Sequence, residues 1–158
     1  MPIVPLIDKC VLRDTILTQL EAELSTLTAA AQSSREEATD SENKQEGKFD
    51  MRAQSAAYLA AGQAQLATDL SAAIAVFRTL PTVPLAEDST IALGALVTID
   101  MEGQSTFFLL GPARGGLEVT YKQRTITVVT AASPFGRQLL GRKAGDFAGP
   151  GHKIRSVE

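Results

Sequence analysis

Apolar residues recur with helical spacing along the first half of the chain. From Leu17 to Ala31 the steps between them alternate between three and four residues, which is the spacing of a coiled-coil seam. A second stripe with the same alternation follows later in the chain. Since neither helix can bury its stripe alone, the two patterns predict an antiparallel coiled-coil hairpin over residues 1–80. The second stripe consists of Phe49, Arg52, Ala56, Leu59, Gln63, Leu66, Leu70, Ala73, Phe77 and Leu80.

The segment that joins the two stripes is rich in acidic residues. It covers residues 36–47 and predicts an acidic tip at the end of the hairpin. Exposed charges contribute little to the stability of a fold. This concentration of acids at a tip therefore indicates a functional role. The carboxylates of the segment are Glu36, Glu37, Asp40, Glu42 and Glu46.

Beyond the second stripe the pattern changes from helical to extended. Residues 81–90 begin with a proline and form a predicted linker. Residues 91–158 contain short runs of β-branched and aromatic residues with turn residues between them. These runs predict a small sheet domain with one short helix, and hence an α+β protein. The predicted strands cover residues 95–100, 105–110, 117–119, 125–130 and 152–157.

Composition excludes several classes of protein. The 158 residues carry a formal net charge of -3, so nothing indicates a strongly basic nucleic-acid binder. Cys10 is the single cysteine, which rules out an internal disulfide, and we expect it to be a small buried side chain. No stretch approaches the ~20 apolar residues that cross a membrane, and no signal peptide is recognisable. We therefore expect a cytoplasmic protein.

Residues 133–146 have the local chemistry of a short helix followed by a turn. Ser133 can cap a helix, and Pro134 suits the first helical position. Gly141 suits the exit of the helix, where a left-handed backbone is common. The residues expected to pack inward are Leu139 and Leu140, and the expected turn is Gly145-Asp146.

This segment resembles the C-terminal domain of the GreA/GreB family of bacterial transcript cleavage factors. The family pattern is close to Ser-Pro-x-Gly-x-x-Leu-x-Gly-x-x-x-Gly-Asp, and residues 133–146 match it position by position. The layout of hairpin, proline-containing linker and sheet domain is similar as well, and residues 42–52 and 57–60 resemble a divergent Gre-like subfamily. The resemblance implies an FKBP-like C-terminal domain, which is an antiparallel sheet around a short helix.

The resemblance also implies a function. Factors of this family bind bacterial RNA polymerase, with the C-terminal domain on the rim of the secondary channel and the hairpin inside it. Tip carboxylates help to hold a Mg²⁺ ion of the polymerase, which then cleaves the 3′ end of its own backtracked RNA. Mg²⁺ prefers such oxygen ligands. The chain would be an accessory factor and not an enzyme, with no cofactor bound alone, no small-molecule substrate and no membrane partner.

The tip matches the family only in part. The family tip is roughly Gly-Asp-Leu-x-Glu-Asn, and Glu42-Asn43 matches its last pair. Thr39 stands where the family has Asp. The resemblance therefore gives Asp40 and Glu42 as the catalytic, Mg²⁺-binding pair, with the turn remodelled by one residue and with Asn43 and Glu46 in support. In the alternative interpretation these acids only favour the start of the second helix.

The motif supplies the expected contacts with the polymerase, although a solvent-facing role is an alternative for its cations. Three functions remain open. The first is a transcript cleavage factor. The second is a channel-binding regulator or competitor of Gre factors without cleavage activity, which the altered spacing of the acids favours. The third is an unrelated helical adaptor that shares only the sheet domain. The expected contact residues are Ser133, Pro134, Phe135, Gly136, Arg137, Arg142 and Lys143.

Overall fold

The chain has an α+β fold, with two long helices followed by a five-stranded sheet and a short helix. The computed structural model describes residues 7–43 and 48–158, and the side chains at positions 38, 40–43 and 48–50 fall outside this description. The predicted order of elements is confirmed. The elements are α1 (Lys9–Asn43), α2 (Lys48–Arg78), β1 (Leu96–Met101), β2 (Gln104–Gly111), β3 (Glu118–Tyr121), β4 (Arg124–Thr130), α3 (Pro134–Leu139) and β5 (His152–Val157).

The chain divides into two compact units. The first contains the described residues up to Leu17 together with Ala75–Glu158, and the second is Thr18–Ile74. The first unit therefore joins the start of α1 and the end of α2 to the sheet, and the second contains the rest of both helices. Over residues 7–43 and 48–158, no helix combines the length and the apolar character needed to cross a membrane.

The two helices of the second unit meet along a seam that includes many small side chains. The Ser34 hydroxyl of α1 donates a hydrogen bond to Oε1 of Gln63 on α2, at 2.8 Å. Small residues along a seam let two helices approach closely, and alanine has the highest helix propensity. Among the described side chains of this unit, the buried ones are Leu20, Ala31 and Ser34 on α1 and Ala53, Ala56, Ala60, Leu70, Ala73 and Ile74 on α2.

The buried side of α2 differs from the predicted one in the middle of the helix. Leu59 and Leu66 were expected in the seam, but each is 56% exposed, so the prediction is wrong for both. The neighbouring position, Ala60, is buried instead. The seam follows the alanines because their small side chains let the partner helix come close, and this leaves the larger leucines outside it.

Asp8 caps the start of α1. Its Oδ1 accepts hydrogen bonds from the backbone N–H groups of Cys10 at 2.9 Å and Val11 at 3.2 Å, as an N-cap carboxylate does. Cys10 was expected to be buried, but it is exposed, and its Sγ donates to Oγ1 of Thr82 at 3.2 Å. The prediction is wrong because Leu12 faces the interior here, and positions two apart on a helix do not share a face.

The sheet has the strand order β3-β4-β2-β1-β5 and is mixed. β2 pairs with β4 in parallel, with Leu109 opposite Val128, and the other neighbouring pairs are antiparallel. The prediction of a wholly antiparallel sheet is therefore wrong at this pair. The chain reverses direction after β2 and again after β3, so β4 runs in the same direction as β2. β4 lies between β2 and β3, and β3 forms the edge of the sheet.

One face of the sheet carries the main core of the first unit. Val97 and Ile99 of β1, Leu110 of β2 and Ile154 of β5 are buried on it, and Leu139 of α3 packs against them. These side chains alternate along their strands with residues of the opposite face. Leu139 thereby fixes the short helix to the sheet. The cations of the 133–146 motif remain at the surface around the helix.

The last turn of α2 packs against the opposite face of the sheet. Phe77 is fully buried, and its ring lies beside Gly111 at the end of β2. A Cβ atom at Gly111 would lie 2.7 Å from Cγ1 of Val128 and 3.4 Å from the Phe77 ring. The glycine therefore provides the space that the phenylalanine ring fills.

Candidate functional site

The 133–146 motif begins with a helix cap. Ser133 is the N-cap of α3, and its Oγ accepts a hydrogen bond from the Gly136 N–H at 3.0 Å. The same hydroxyl donates to the carbonyl of Thr130 at 2.7 Å. Pro134 occupies the first helical position, where its fixed φ suits a helix and its missing N–H costs nothing. The predicted start of the helix is confirmed.

Gly136 is required by the close approach of α3 to the end of β4. A Cβ atom at this position would lie 1.8 Å from the carbonyl oxygen of Thr130 and 2.7 Å from its carbonyl carbon. Both are backbone atoms, so no side-chain movement relieves the clash. The glycine of the motif is therefore a packing residue, and it lets α3 begin directly after β4.

Phe135 connects the motif to the sheet. Its ring meets that of Phe108 edge to face, with the centroids 4.9 Å apart, an arrangement that the quadrupoles of the rings favour. It is half-buried against the core, and Leu139 is fully buried. Leu140 was also expected to pack inward, but it is 49% exposed, so that prediction is wrong. It follows the last residue of a six-residue helix that has only one narrow buried side.

The three cations of the motif are all exposed. A guanidinium nitrogen of Arg137 donates to the carbonyl of Ala132 at 3.0 Å, and Nε of Arg142 donates to the carbonyl of Gln138. Lys143 lies in the loop that follows α3. Two of the three are thus held by backbone carbonyls near α3, and they form a basic surface around the helix.

A turn connects the motif to the last strand, as predicted. The carboxylate of Asp146 accepts a hydrogen bond from the backbone N–H of Lys143 at 2.9 Å. The N–H of Gly145 donates to the carbonyl of Ile154 at 2.8 Å. Gly145 has a φ of +95°, a conformation that is costly for other residues. The end of the motif is therefore anchored to β5.

The acidic segment lies at the end of α1. The helix continues through Asp40 and Glu42 to Asn43, but the side chains of these three residues are outside the described part of the chain. Glu46 lies entirely outside it. The structure therefore does not test the predicted Mg²⁺-binding pair or its predicted support by Asn43 and Glu46. In the described residues, no group of three or more His, Cys, Asp or Glu is placed to hold a metal ion.

The acids that precede the predicted pair are exposed on α1. Glu36 and Glu37 both lie at the surface, and Oε1 of Glu36 accepts a hydrogen bond from Nε2 of Gln32, one helical turn earlier, at 3.0 Å. Their exposure agrees with the expectation that they are solvated. They provide a matched set of carboxylates for comparison with Asp40 and Glu42.

Lys9 is a buried residue that the sequence pattern did not reveal. Its ammonium group donates to the backbone carbonyls of Gly94 and Glu158, each at 2.9 Å, and the residue is only 8% exposed. Burial lowers the pKa of Lys9 below its ordinary value of 10.5, and the charge of Glu158 opposes this shift. Its partners are 85 and 149 positions away in the chain, so no local signal could identify it.

We expect Lys9→Met to lower the free energy of unfolding by about 1–3 kcal/mol, because the buried Gly94 carbonyl loses its donor. Since the folded-state pKa of Lys9 is depressed, the unfolded chain binds the proton more readily, and wild-type stability rises with pH between that pKa and 10.5. The stability difference between wild type and Lys9→Met should therefore widen in this window and stay constant below it. Urea unfolding at several pH values measures it.

The control is Lys153→Met, which removes an exposed cation of β5. We expect its stability to stay within about 0.5 kcal/mol of wild type. A difference between wild type and Lys9→Met that narrows as the pH rises would contradict the stated origin of the effect.

Comparison with known proteins gives a weak likeness. No protein-family model matches the chain, and no curated protein matches it. Among solved structures, the chain is similar to the GreA factor homolog 1 (Gfh1) protein of Thermus thermophilus, with a TM-score of 0.35 and 16% sequence identity over 90% of this chain and 94% of that chain. A likeness at this level carries no argument about function, so the assignment depends on the residues themselves.

Proposed function

We propose that the protein is a transcription elongation factor of the GreA/GreB type, which binds the secondary channel of bacterial RNA polymerase and stimulates cleavage of backtracked RNA. The match at residues 133–146 carries the proposal. Ser133 caps α3, and Gly136 lets the helix approach the Thr130 backbone. The surrounding cations are exposed, so a partner could contact them. The FKBP-like character of the sheet domain is part of the same proposal, with the parallel β2–β4 pair as a departure from a wholly antiparallel sheet.

In this proposal the chain contributes ligands to the active site of its partner. Asp40 and Glu42 would place carboxylate oxygens near the 3′ end of the backtracked RNA and orient the attacking water, and the basic surface around α3 would hold the channel rim. The Mg²⁺ ion would supply stabilisation of the attacking and leaving oxygens of the phosphodiester. The protein is therefore an accessory factor, and the bond is broken by the polymerase.

The spacing of the two acids favours a second candidate, a channel-binding regulator without cleavage activity. The helix α1 continues through both positions to Asn43, and positions two apart on an α-helix do not face each other. A regular helix would therefore separate the pair, and cleavage would require this end of α1 to rearrange on binding. A factor that only blocks the channel or competes with Gre factors has no such requirement.

Stalled elongation complexes from a bacterial RNA polymerase, with RNA labelled at its 5′ end or its 3′ end, distinguish the two candidates. Release of short 3′ fragments on addition of the protein is the expected result. Binding without release at any Mg²⁺ concentration tested would support the regulator instead. Absence of binding to the polymerase would overturn both candidates and leave the helical adaptor.

The basic surface around α3 predicts a specific loss of polymerase binding. We expect Arg137→Gln combined with Lys143→Gln to weaken binding roughly threefold to tenfold, since two exposed ionic contacts at the edge of an interface are lost. Fluorescence anisotropy of the labelled protein titrated with polymerase measures the affinity. The double variant Lys122→Gln, Lys153→Gln removes two exposed cations elsewhere on the same unit. An equal loss in this control would show that only net charge matters.

A further inference from the structure

The sheet face that receives Phe77 is apolar in one part and polar in the other. Following the strand register, Leu96, Leu109 and Val128 share this face with Gly111 beside Phe77. In the other direction along the same strands most residues of this face are polar. Thr98 pairs with Ser156 of β5, and Asp100 pairs with Ser105 of β2. Phe107, which pairs with Thr98 on its other side, is the aromatic residue among them.

A cavity of about 460 Å³ opens over this polar half. Its volume is within the range of pockets that hold a small organic molecule. Its wall contains residues of β1, β2, β4 and β5, and all of them belong to the first compact unit. The lining residues are Ile7, Thr98, Ser105, Phe107, Arg124, Arg155, Ser156 and Glu158.

A β-bulge directs Arg155 into the cavity. Thr98 pairs with Ser156 and Ile99 pairs with Ile154, so the register shifts and Arg155 is the extra residue of β5. Consecutive residues of a regular strand point to opposite faces, yet both Arg155 and Ser156 line this cavity. Bulges often occur next to functional sites, where they redirect a side chain. Here the bulge adds a guanidinium to a surface of hydroxyl groups.

One cation of the cavity lining, Arg124, has no carboxylate partner. Arg155 donates from Nε and a terminal nitrogen to Oδ2 of Asp100, at 3.0 and 2.9 Å, and the acid of the lining, Glu158, accepts a hydrogen bond from Lys9 at its main-chain oxygen. Arg124 lies over the Phe107 ring, 5.2 Å from its centroid. Among the described residues, no carboxylate pairs with Arg124. An anion in the cavity would therefore meet a free guanidinium and the remaining N–H donors of Arg155.

Two hydroxyl groups of the cavity also lack partners. Thr98 is only 9% exposed, and over the described residues neither its hydroxyl nor that of Ser156 makes a hydrogen bond. Oγ1 of Thr98 is accessible from the cavity, since it is not among the fully buried side-chain atoms that lack a hydrogen bond. The hydroxyl of Ser105 differs, since it donates to Oδ1 of Asp100 at 3.3 Å. The hydroxyls of Thr98 and Ser156 are therefore available to donate to, or accept from, a polar ligand in the cavity.

From this arrangement we infer that the cavity binds a small organic phosphate of nucleotide size, with the phosphate held by Arg124 and Arg155 and hydrogen-bonded by Thr98 and Ser156. Phosphate is the favoured anion because it has several acceptor oxygens, which suit donors that come from three different strands, whereas a carboxylate has two. Ile7 and Phe107 provide the apolar part of the lining, which suits the organic part of such a ligand. The inference is independent of the proposed role at RNA polymerase.

Heteronuclear NMR titrations of the full chain test the inference. The probes are AMP, GMP, CMP and UMP, each compared with its nucleoside and with inorganic phosphate. At least one nucleotide should shift the backbone amides of Thr98, Ser105 and Ser156 and the Nε–H of Arg124 in a saturable way. Its affinity should exceed those of its nucleoside and of phosphate by about tenfold or more, since each lacks one part of the ligand.

Matched variants identify the residues responsible. Arg124→Gln should weaken binding about tenfold or more, because a charge-assisted hydrogen bond is lost, and Thr98→Val should weaken it severalfold with little change in shape. Lys122→Gln removes a cation from the neighbouring turn, outside the lining, and should have no effect. Shifts from none of the four nucleotides, or equal losses for Arg124→Gln and Lys122→Gln, would overturn the inference. A nucleoside that binds as tightly as its nucleotide would overturn the role of the phosphate.

Discussion

Asp40→Asn combined with Glu42→Gln should lower the release of 3′ RNA fragments from backtracked complexes by at least about 100-fold. A carboxylate positioned to orient a catalytic water or to accept a proton contributes about 10²–10⁴-fold to a rate. Both substitutions keep the shape of the side chain and remove its charge, so binding to polymerase should change much less than cleavage. The measurement is the single-turnover rate of RNA release at a saturating concentration of the factor.

The matched control is Glu36→Gln combined with Glu37→Gln. It also removes two carboxylates from α1, and both residues are exposed in the structure. We expect this variant to stimulate release within about twofold of the wild type, since neither carboxylate belongs to the predicted Mg²⁺-binding pair and single exposed charges contribute little. If the Asp40, Glu42 variant cleaves as well as the wild type, the assignment of the pair is wrong. If both double variants lose activity equally, the total charge of the segment is responsible.

Gly136→Ala should destabilise the first compact unit by about 3 kcal/mol or more. The new Cβ atom would lie 1.8 Å from the Thr130 carbonyl oxygen, so the backbone of α3 or the end of β4 has to move. Overpacking of this kind typically costs about 1–3 kcal/mol, and here the movement also weakens the bond between the Gly136 N–H and Ser133 Oγ. For a chain of this size the midpoint of thermal unfolding should fall by roughly 6–12 °C.

The control for this substitution lies in the middle of α2. A Cβ atom at Gly62 meets no other atom within 4 Å, and alanine is favoured over glycine within a helix by about 0.8–1 kcal/mol. Gly62→Ala should therefore raise the stability of the protein. Thermal unfolding of the two Gly→Ala variants and the wild type is followed by circular dichroism. A midpoint for Gly136→Ala equal to or above that of the wild type would contradict the close packing of Gly136 against Thr130.

Much of the fold follows from local patterns in the sequence. The strands, their order along the chain and the short helix could be predicted because turn residues, β-branched runs and the Ser133-Pro134 cap act over a few residues. The buried side of α2 could not be predicted, since Leu59 and Ala60 both fit a three-and-four alternation. Only the close approach of the partner helix selects the alanine side, and it leaves Leu59 exposed.

The candidate sites divide in the same way. The 133–146 motif was recognised in the sequence because its capping and turn residues are adjacent in the chain, and the structure adds the reason for Gly136. The buried Lys9 and the cavity with Arg124 and Arg155 have no such signal, because their partners come from distant strands and from a register shift.

Local patterns therefore predict the kinds of element, their order and the motif that suggests a partner, since these depend on interactions between near neighbours. Packing in three dimensions selects which helix face is buried, makes β4 parallel to β2, and brings together the polar groups on the sheet. Those outcomes depend on contacts between residues far apart in the chain, and the spacing of residues within one segment does not predict such contacts.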